Sequence, residues 1–138
     1  MKKPPELVPS DKHVRLNFYL LLAVYILVIV LAESLIDFVL QIGVDIRDPQ
    51  SIALMNQNKI IMTHIVVTVL HVLPMLMLSW LGYRILTSAK LPPARMKLPF
   101  TVPLIKGKNA RLIGILLMVT SLFLISQDLV LLAQKISL

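Results

Sequence analysis

Two histidines lie inside an apolar stretch, THIVVTVLHVLP, that covers residues 63–74. Their seven-residue spacing places His64 and His71 on one face of a helix, together with Thr68 and Met75. Imidazole can carry protons near neutral pH, bind a metal, or hydrogen-bond to another helix. Because seven residues rise ~10.5 Å along a helix, the two rings are too far apart to share one metal ion.

Three carboxylates occur in similarly apolar surroundings. Glu33 and Asp37 are four residues apart and share a helical face, and Asp128 follows Gln127 in the last apolar block. An ionised group at the centre of a membrane span costs ~2.5–3.5 kcal/mol, so each is expected to have a partner. The predicted intramembrane polar cluster comprises Glu33, Asp37, His64, Thr68, His71, Gln127 and Asp128.

Depth along the apolar blocks divides this cluster into two predicted layers. Glu33 is expected to reach His71 in the deeper layer, near the middle of the membrane. Asp37, His64 and Asp128 are expected to form the outer layer. Pairing within each layer would reduce the cost of burying the charges.

Such a cluster is compatible with four functions. The polar groups can hold helices or subunits together, or they can carry protons or cations. They can also bind a metal: a haem with a second ligand from another chain, copper at the histidines and Met75, or a divalent cation near the outer face. Finally, a histidine and a carboxylate can hydrogen-bond the carbonyl of a quinone.

The composition of the chain points to a membrane. Of its 138 residues 57% are hydrophobic, the mean hydropathy is +0.84, and the apolar residues fall in three long blocks. A soluble domain of this size would expose too much apolar surface with that composition. The chain has no cysteine, which excludes disulfides, thiolate metal sites and iron–sulfur ligation by this chain.

The three blocks predict an all-α membrane protein with transmembrane helices at residues 16–42, 60–87 and 112–134. Each block can cross ~30 Å of hydrocarbon as a helix, and none shows the alternation of a barrel strand. The remaining parts are an N-terminal tail (1–15), an outer loop (43–59), a second loop (88–111) and a C-terminus (135–138).

The basic residues predict the orientation. Eleven of the 14 Lys and Arg residues lie in the N-terminal tail or in and beside the second loop, which three spans place on one side. The positive-inside rule makes that side cytoplasmic, so the N-terminus is in and the C-terminus is out. The net charge of +7 is then explained by topology and anionic lipid, and no nucleic-acid partner is expected.

The connections carry further signals. Asp48 and Pro49 are typical of a helix start and predict a short helix on the outer surface before the second span. Four prolines prevent a continuous helix in the second loop. This loop is either a solvated linker or a docking strip that contacts anionic lipid or a partner subunit. Its basic residues are Lys90, Arg95, Lys97, Lys106, Lys108 and Arg111.

Two features of the spans concern packing. Pro74 removes an amide donor and frees the carbonyl of Leu70, which can accept from a polar neighbour or water; a tolerated kink is the simpler interpretation. Small residues are few, chiefly Gly82 and Gly114, and no GxxxG motif occurs. Close packing among these three helices is therefore expected to be limited.

Three spans barely enclose a cavity, and no soluble domain is available for ordinary catalysis. We expect a small non-catalytic subunit of a larger bacterial inner-membrane complex, with other membrane subunits or further copies as partners. The alternative is a redox anchor subunit for haem b or quinone, or a proton- or cation-conducting component. The length, the three spans and the orientation are similar to those of the small membrane-anchor subunits of fumarate reductase and succinate dehydrogenase. This similarity concerns the span pattern and implies no residue roles.

Overall fold

Three long helices dominate the structure, a computed structural model that describes residues 6–42 and 48–137. They are α1 (Lys12–Gln41), α2 (Pro49–Ser88) and α3 (Lys108–Ile136). Each is long enough and apolar enough to cross a membrane. The predicted class, an all-α protein with three helices that can span a bilayer, is therefore confirmed.

The second helix begins where its sequence predicts a start. The carboxylate of Asp48 accepts hydrogen bonds from the amides of Gln50 and Ser51, both at 3.1 Å, and Pro49 occupies the first turn. These contacts satisfy amides that have no partner inside the helix. The residues predicted as a separate short helix are instead the first turns of α2, which continues for 40 residues without interruption.

The tightest packing in the bundle joins α2 to α3 through two glycines. A Cβ atom at Gly82 would lie 2.7 Å from the backbone oxygen of Gly114, and a Cβ atom at Gly114 would lie 2.8 Å from that of Gly82. Buried Ala110 and Ser121 extend the small surface of α3 on either side. The expectation of limited close packing is wrong, because Ala110 and Gly114 form a small-xxx-small motif.

Helix α1 is attached more loosely. Among the described residues it packs against α2, and no Cα pair between α1 and α3 lies within 8 Å. Ile36 is the one residue of α1 that is fully buried in the described part of the chain. An opening therefore remains between α1 and α3, with α2 as its floor.

A small β-structured cap covers one end of the bundle; we define it as residues 6–10 and 90–107. Strand β1 (Leu7–Val8) pairs antiparallel with β3 (Val102–Pro103), and β2 (Lys90–Leu91) pairs antiparallel with β4 (Ile105–Lys106). The N-terminal segment and the loop between α2 and α3 therefore lie at the same end of the molecule.

Ion pairs and aromatic contacts join the two segments of the cap to each other and to the start of α1. Lys106 Nζ lies 2.6 Å from a Glu6 carboxylate oxygen, and Lys97 Nζ lies 3.2 Å from one of Asp11. The ring of Phe100 meets that of Phe18 edge-on, with 5.6 Å between centroids. The loop is thus a folded part of the molecule, which neither sequence alternative anticipated.

Acidification is expected to loosen the cap. Lys97, followed by the amides at the start of α1, lowers the pKa of Asp11, and the hydrogen bond from Lys106 lowers the pKa of Glu6. Such carboxylates stabilise the folded state above their ordinary pKa, and this contribution is lost as the pH falls through the lowered value. The Leu104 amide donates to the Glu6 carbonyl, so its hydrogen-exchange protection should fall below about pH 4.

The control for this prediction is Glu6→Gln, which removes one of the two titrating groups. In that variant the protection of Leu104 should already be reduced at neutral pH and should depend less on acid. Constant protection of Leu104 from pH 7 to pH 3 in the natural chain would show that these ion pairs do not hold the cap.

Candidate functional site

Two contacts set the register between α1 and α2. The hydroxyl of Tyr25 donates to the carbonyl of Leu70 at 2.7 Å, and Lys59 Nζ lies 2.7 Å from Asp37 Oδ1. Because the helices are antiparallel, residues further along α1 face earlier residues of α2. This register decides which members of the predicted polar cluster can meet.

Near the start of α2, three charged residues form what we call the outer ion cluster: Glu33, Asp37 and Lys59. Lys59 Nζ lies 3.6 Å from Glu33 Oε1 in addition to its closer contact with Asp37. The register places Glu33 roughly 13 Å along the helices from the level of His71, so the predicted pair does not meet. The sequence did contain an indication of this contact, because two carboxylates on one face of α1 need a cation nearby.

Deeper in the bundle, His71 and Asp128 line the same cleft. Its volume is about 350 Å³, and its remaining walls come from Tyr25, Pro74, Met75 and Leu124. His71 is exposed within this cleft and Asp128 is half-buried. No histidine–carboxylate pair within 4.0 Å occurs among the described residues, so the two groups face common space without direct contact.

The predicted outer layer is divided between these two places. The Gly82–Gly114 contact sets the level of α3 against α2 and puts Asp128 opposite Thr68, ~4.5 Å along the axis from the level of His71. His64 lies between the outer ion cluster and the cleft and is half-buried, as is Thr68. The structure therefore brings Asp128 toward His71 rather than toward Asp37.

Tyr25 is absent from the predicted cluster, yet it makes a hydrogen bond between two of the long helices. Pro74 lacks the amide that would donate to Leu70, and the tyrosine hydroxyl supplies the missing donor at 2.7 Å. Of the two interpretations of Pro74, this contact supports the one in which a polar neighbour uses the freed carbonyl, whereas the sequence favours a tolerated kink. This contact could have been sought from the sequence, because a proline inside a span frees the carbonyl four residues earlier for a donor on a neighbouring span.

Tyr25→Phe tests this contact. We expect a loss of about 0.6 kcal/mol in unfolding free energy, the average for interhelical hydrogen bonds in membranes, and at most about 1.7 kcal/mol. In a Pro74→Ala background the same change should cost less, because the new amide of residue 74 can itself donate to Leu70. Unfolding in mixed detergent micelles, followed by circular dichroism, measures both.

Tyr83→Phe is the matched control, since Tyr83 is 57% exposed and its change should have little effect. Equal losses from Tyr25→Phe with and without Pro74 would contradict the proposed exchange of donors.

The donors available in the described part of the chain do not form a recognisable metal centre: no group of three or more His, Asp or Glu residues lies close enough to hold one ion there. No family model matches this chain. No curated protein or solved structure matches it either.

A third feature is a polar stripe on α3, formed by Thr120, Gln127 and Gln134. All three side chains are exposed, and they lie about 120–160° around the helix from Gly114, which contacts α2. Among the described residues, neither glutamine amide has a hydrogen-bond partner. By the register with α2, Gln127 lies within two residues of the level of His71, close to the middle of the apolar span.

The basic residues predicted to contact lipid or a partner all lie in the cap or the first turn of α3. Lys97 and Lys106 are engaged in ion pairs with Asp11 and Glu6. Lys90 lies directly opposite Lys106 across the β2–β4 pair, so two like charges share this edge. The exposed residues outside these ion pairs are Lys90, Arg95, Lys108 and Arg111.

Proposed function

We propose that this protein is a non-catalytic integral membrane subunit of a larger assembly in a bacterial inner membrane. The observation that carries the proposal is the α3 polar stripe, in which the exposed amide of Gln127 lies near the level of His71 and has no hydrogen-bond partner among the described residues. An amide in hydrocarbon without a hydrogen-bond partner costs several kcal/mol. A helix from another subunit that supplies donors and acceptors would remove this cost.

The packing of the bundle supports an accessory role. Helix α1 contacts α2 alone among the described helices, so the three helices do not enclose a central chamber. In the outer ion cluster, Lys59 offsets one of the two carboxylate charges within the chain. These features suit a subunit whose surfaces are completed by neighbours in the membrane.

The alternative role, a redox or ion-conducting component, is predicted to use His71 and Glu33 together with His64, Asp37 and Asp128. In the structure Glu33 pairs with Lys59 and lies away from His71 along the bundle. His71 shares the cleft with Asp128, so an imidazole and a carboxylate lie near this level. A relay across the membrane would need further groups from a partner, so the subunit role is favoured.

The proposal includes an orientation in which the cap is cytoplasmic. The cap and the ends of the helices beside it carry most of the basic residues, and they would contact anionic headgroups of the inner leaflet. The natural chain has no cysteine, so single replacements can be labelled without background. Ala94→Cys reports on the cap and Gln57→Cys on the opposite end; both positions are exposed.

With an impermeant maleimide on intact cells, Gln57→Cys should react at once and Ala94→Cys only after the membrane is permeabilised. The reverse pattern would place the cap outside the cell and overturn the orientation.

The subunit role is tested by extraction in a mild detergent. The natural chain should migrate in a complex well above its own 15.5 kDa, and Gln127→Leu combined with Gln134→Leu should release it toward the monomer. Gln57→Leu is a matched control, because this glutamine is exposed outside the stripe. A natural chain that is monomeric both in mild detergent and by cross-linking in membranes would remove the proposal.

A further inference from the structure

We propose that the helix that covers the α3 polar stripe belongs to a second copy of this chain, in a parallel twofold dimer. This inference rests on the proposed subunit role and names its partner. It is carried by three observations: the chemistry of the stripe, the exposed apolar residues that interleave with it, and its position away from the intramolecular helix contacts.

The chemistry of the stripe is self-complementary. Two copies inserted in the same direction are related by an axis along the membrane normal, which brings each residue of the interface opposite itself. A glutamine amide carries both a donor and an acceptor, so Gln127 can pair with Gln127 and Gln134 with Gln134. Thr120 can do the same through its hydroxyl. A stripe of like charges could not pair in this way.

The spacing of the exposed residues is that of a helix-pairing seam. Thr120, Gln127 and Gln134 are seven residues apart. The exposed residues that interleave with them on the same face are Leu116, Phe123 and Val130, at 64%, 58% and 55% exposure. The combined spacing alternates between three and four, which matches the a and d positions of a left-handed helix pair.

The position of the seam leaves it free for a partner. Helix α3 uses its glycine face to contact α2, and the seam lies about a third of a turn or more around the helix from that face. A purely apolar face would be solvated equally well by lipid, whereas amides gain hydrogen bonds only from another polar surface. The polar a positions would also fix the register of the pair.

Disulfide trapping in native membranes tests the dimer, because the natural chain offers no competing thiol. Phe123→Cys and Val130→Cys place thiols on the seam and keep both glutamines. Leu122→Cys and Leu129→Cys are matched controls, since these neighbours are exposed at nearly the same depth on another side of α3. Immunoblots of the membrane fraction confirm that all four variants insert equally.

After mild oxidation, the seam variants should yield a band at twice the 15.5 kDa of one chain, at least tenfold more abundant than in the controls. Adding Gln127→Leu to Phe123→Cys should reduce that band severalfold. Equal bands from seam and control positions would indicate random collision and overturn the dimer.

Two other outcomes separate this inference from the subunit role. If the seam thiols form disulfides with a different protein, the partner is not a second copy of this chain, while the subunit role stands. If no position is trapped and the natural chain is monomeric in mild detergent, both fail.

Discussion

Replacing Gly114 with leucine should force α2 and α3 apart and deplete the folded protein. A single added Cβ atom would already lie 2.8 Å from the Gly82 carbonyl oxygen and 3.0 Å from the Leu86 amide nitrogen. Both obstacles are backbone atoms within helices, so they cannot move aside as a flexible side chain does. Overpacking of this kind costs about 1–3 kcal/mol and sometimes more, which should apply to Gly114→Ala.

Leucine should exceed that range, because its additional carbons must also be placed between two helices that already touch. Unfolding in mixed micelles measures the loss for both variants. Ala133→Leu, at an exposed position of the same helix, should change the unfolding free energy by at most about 0.5 kcal/mol. If Gly114→Leu were as stable as this control, the close contact between the helices would be refuted.

Replacing Lys59 with leucine should give the second large effect. Lys59 Nζ lies 2.7 Å from Asp37, whose side chain is 38% exposed, and it also faces Glu33. Without the lysine, two carboxylates share one face of α1 near hydrocarbon with no cation. A charge is costly at the centre of a span, so at this shallower position Lys59→Leu should lower the unfolding free energy measurably but by less than that cost.

A second substitution, Asp37→Leu, tests the explanation. Combined with Lys59→Leu, it should recover most of the lost stability, because the unpaired charge is removed together with its cation. Glu33→Gln should have a smaller effect than Asp37→Leu alone, since Glu33 is 78% exposed and lies 3.6 Å from the lysine. Strict additivity of the two leucine changes would show that Lys59 and Asp37 do not interact.

The helices themselves could be predicted from local properties of the chain. Long apolar blocks determine that the segments can span a bilayer, and Asp48 followed by Pro49 determines where α2 begins. The missing amide of Pro74 likewise implies a free carbonyl at Leu70, whatever the rest of the fold. The first of these conclusions depends on one continuous segment, and the other two depend on neighbours within about four residues.

The errors concern contacts between helices. The depth of each residue along its apolar block predicts that Glu33 lies beside His71 and that Lys59 belongs to the outer loop. The structure instead pairs Glu33 with Lys59 and leaves His71 in a cleft with Asp128. Helical periodicity shows which residues share a face, but it does not give the rotation or axial shift of one helix against the next.

In the cap, too, local features could be predicted and contacts between distant segments could not. Four prolines in the second loop correctly exclude a continuous helix, yet the pairing of β1 with β3 joins segments about 95 residues apart in the chain. Such pairing depends on where α1 and the other helices place their ends.

By itself, the sequence determined three membrane-length helices, the residue at which α2 begins and the free carbonyl at Leu70, because each follows from local geometry and the hydrophobic effect. Only the tertiary structure decided that Gly82 meets Gly114, that Tyr25 reaches Leu70 and that Lys59 holds two carboxylates. The physical reason is close packing: the axial shift of one helix against another is set by which surfaces fit at backbone distance, and that fit depends on both helices at once.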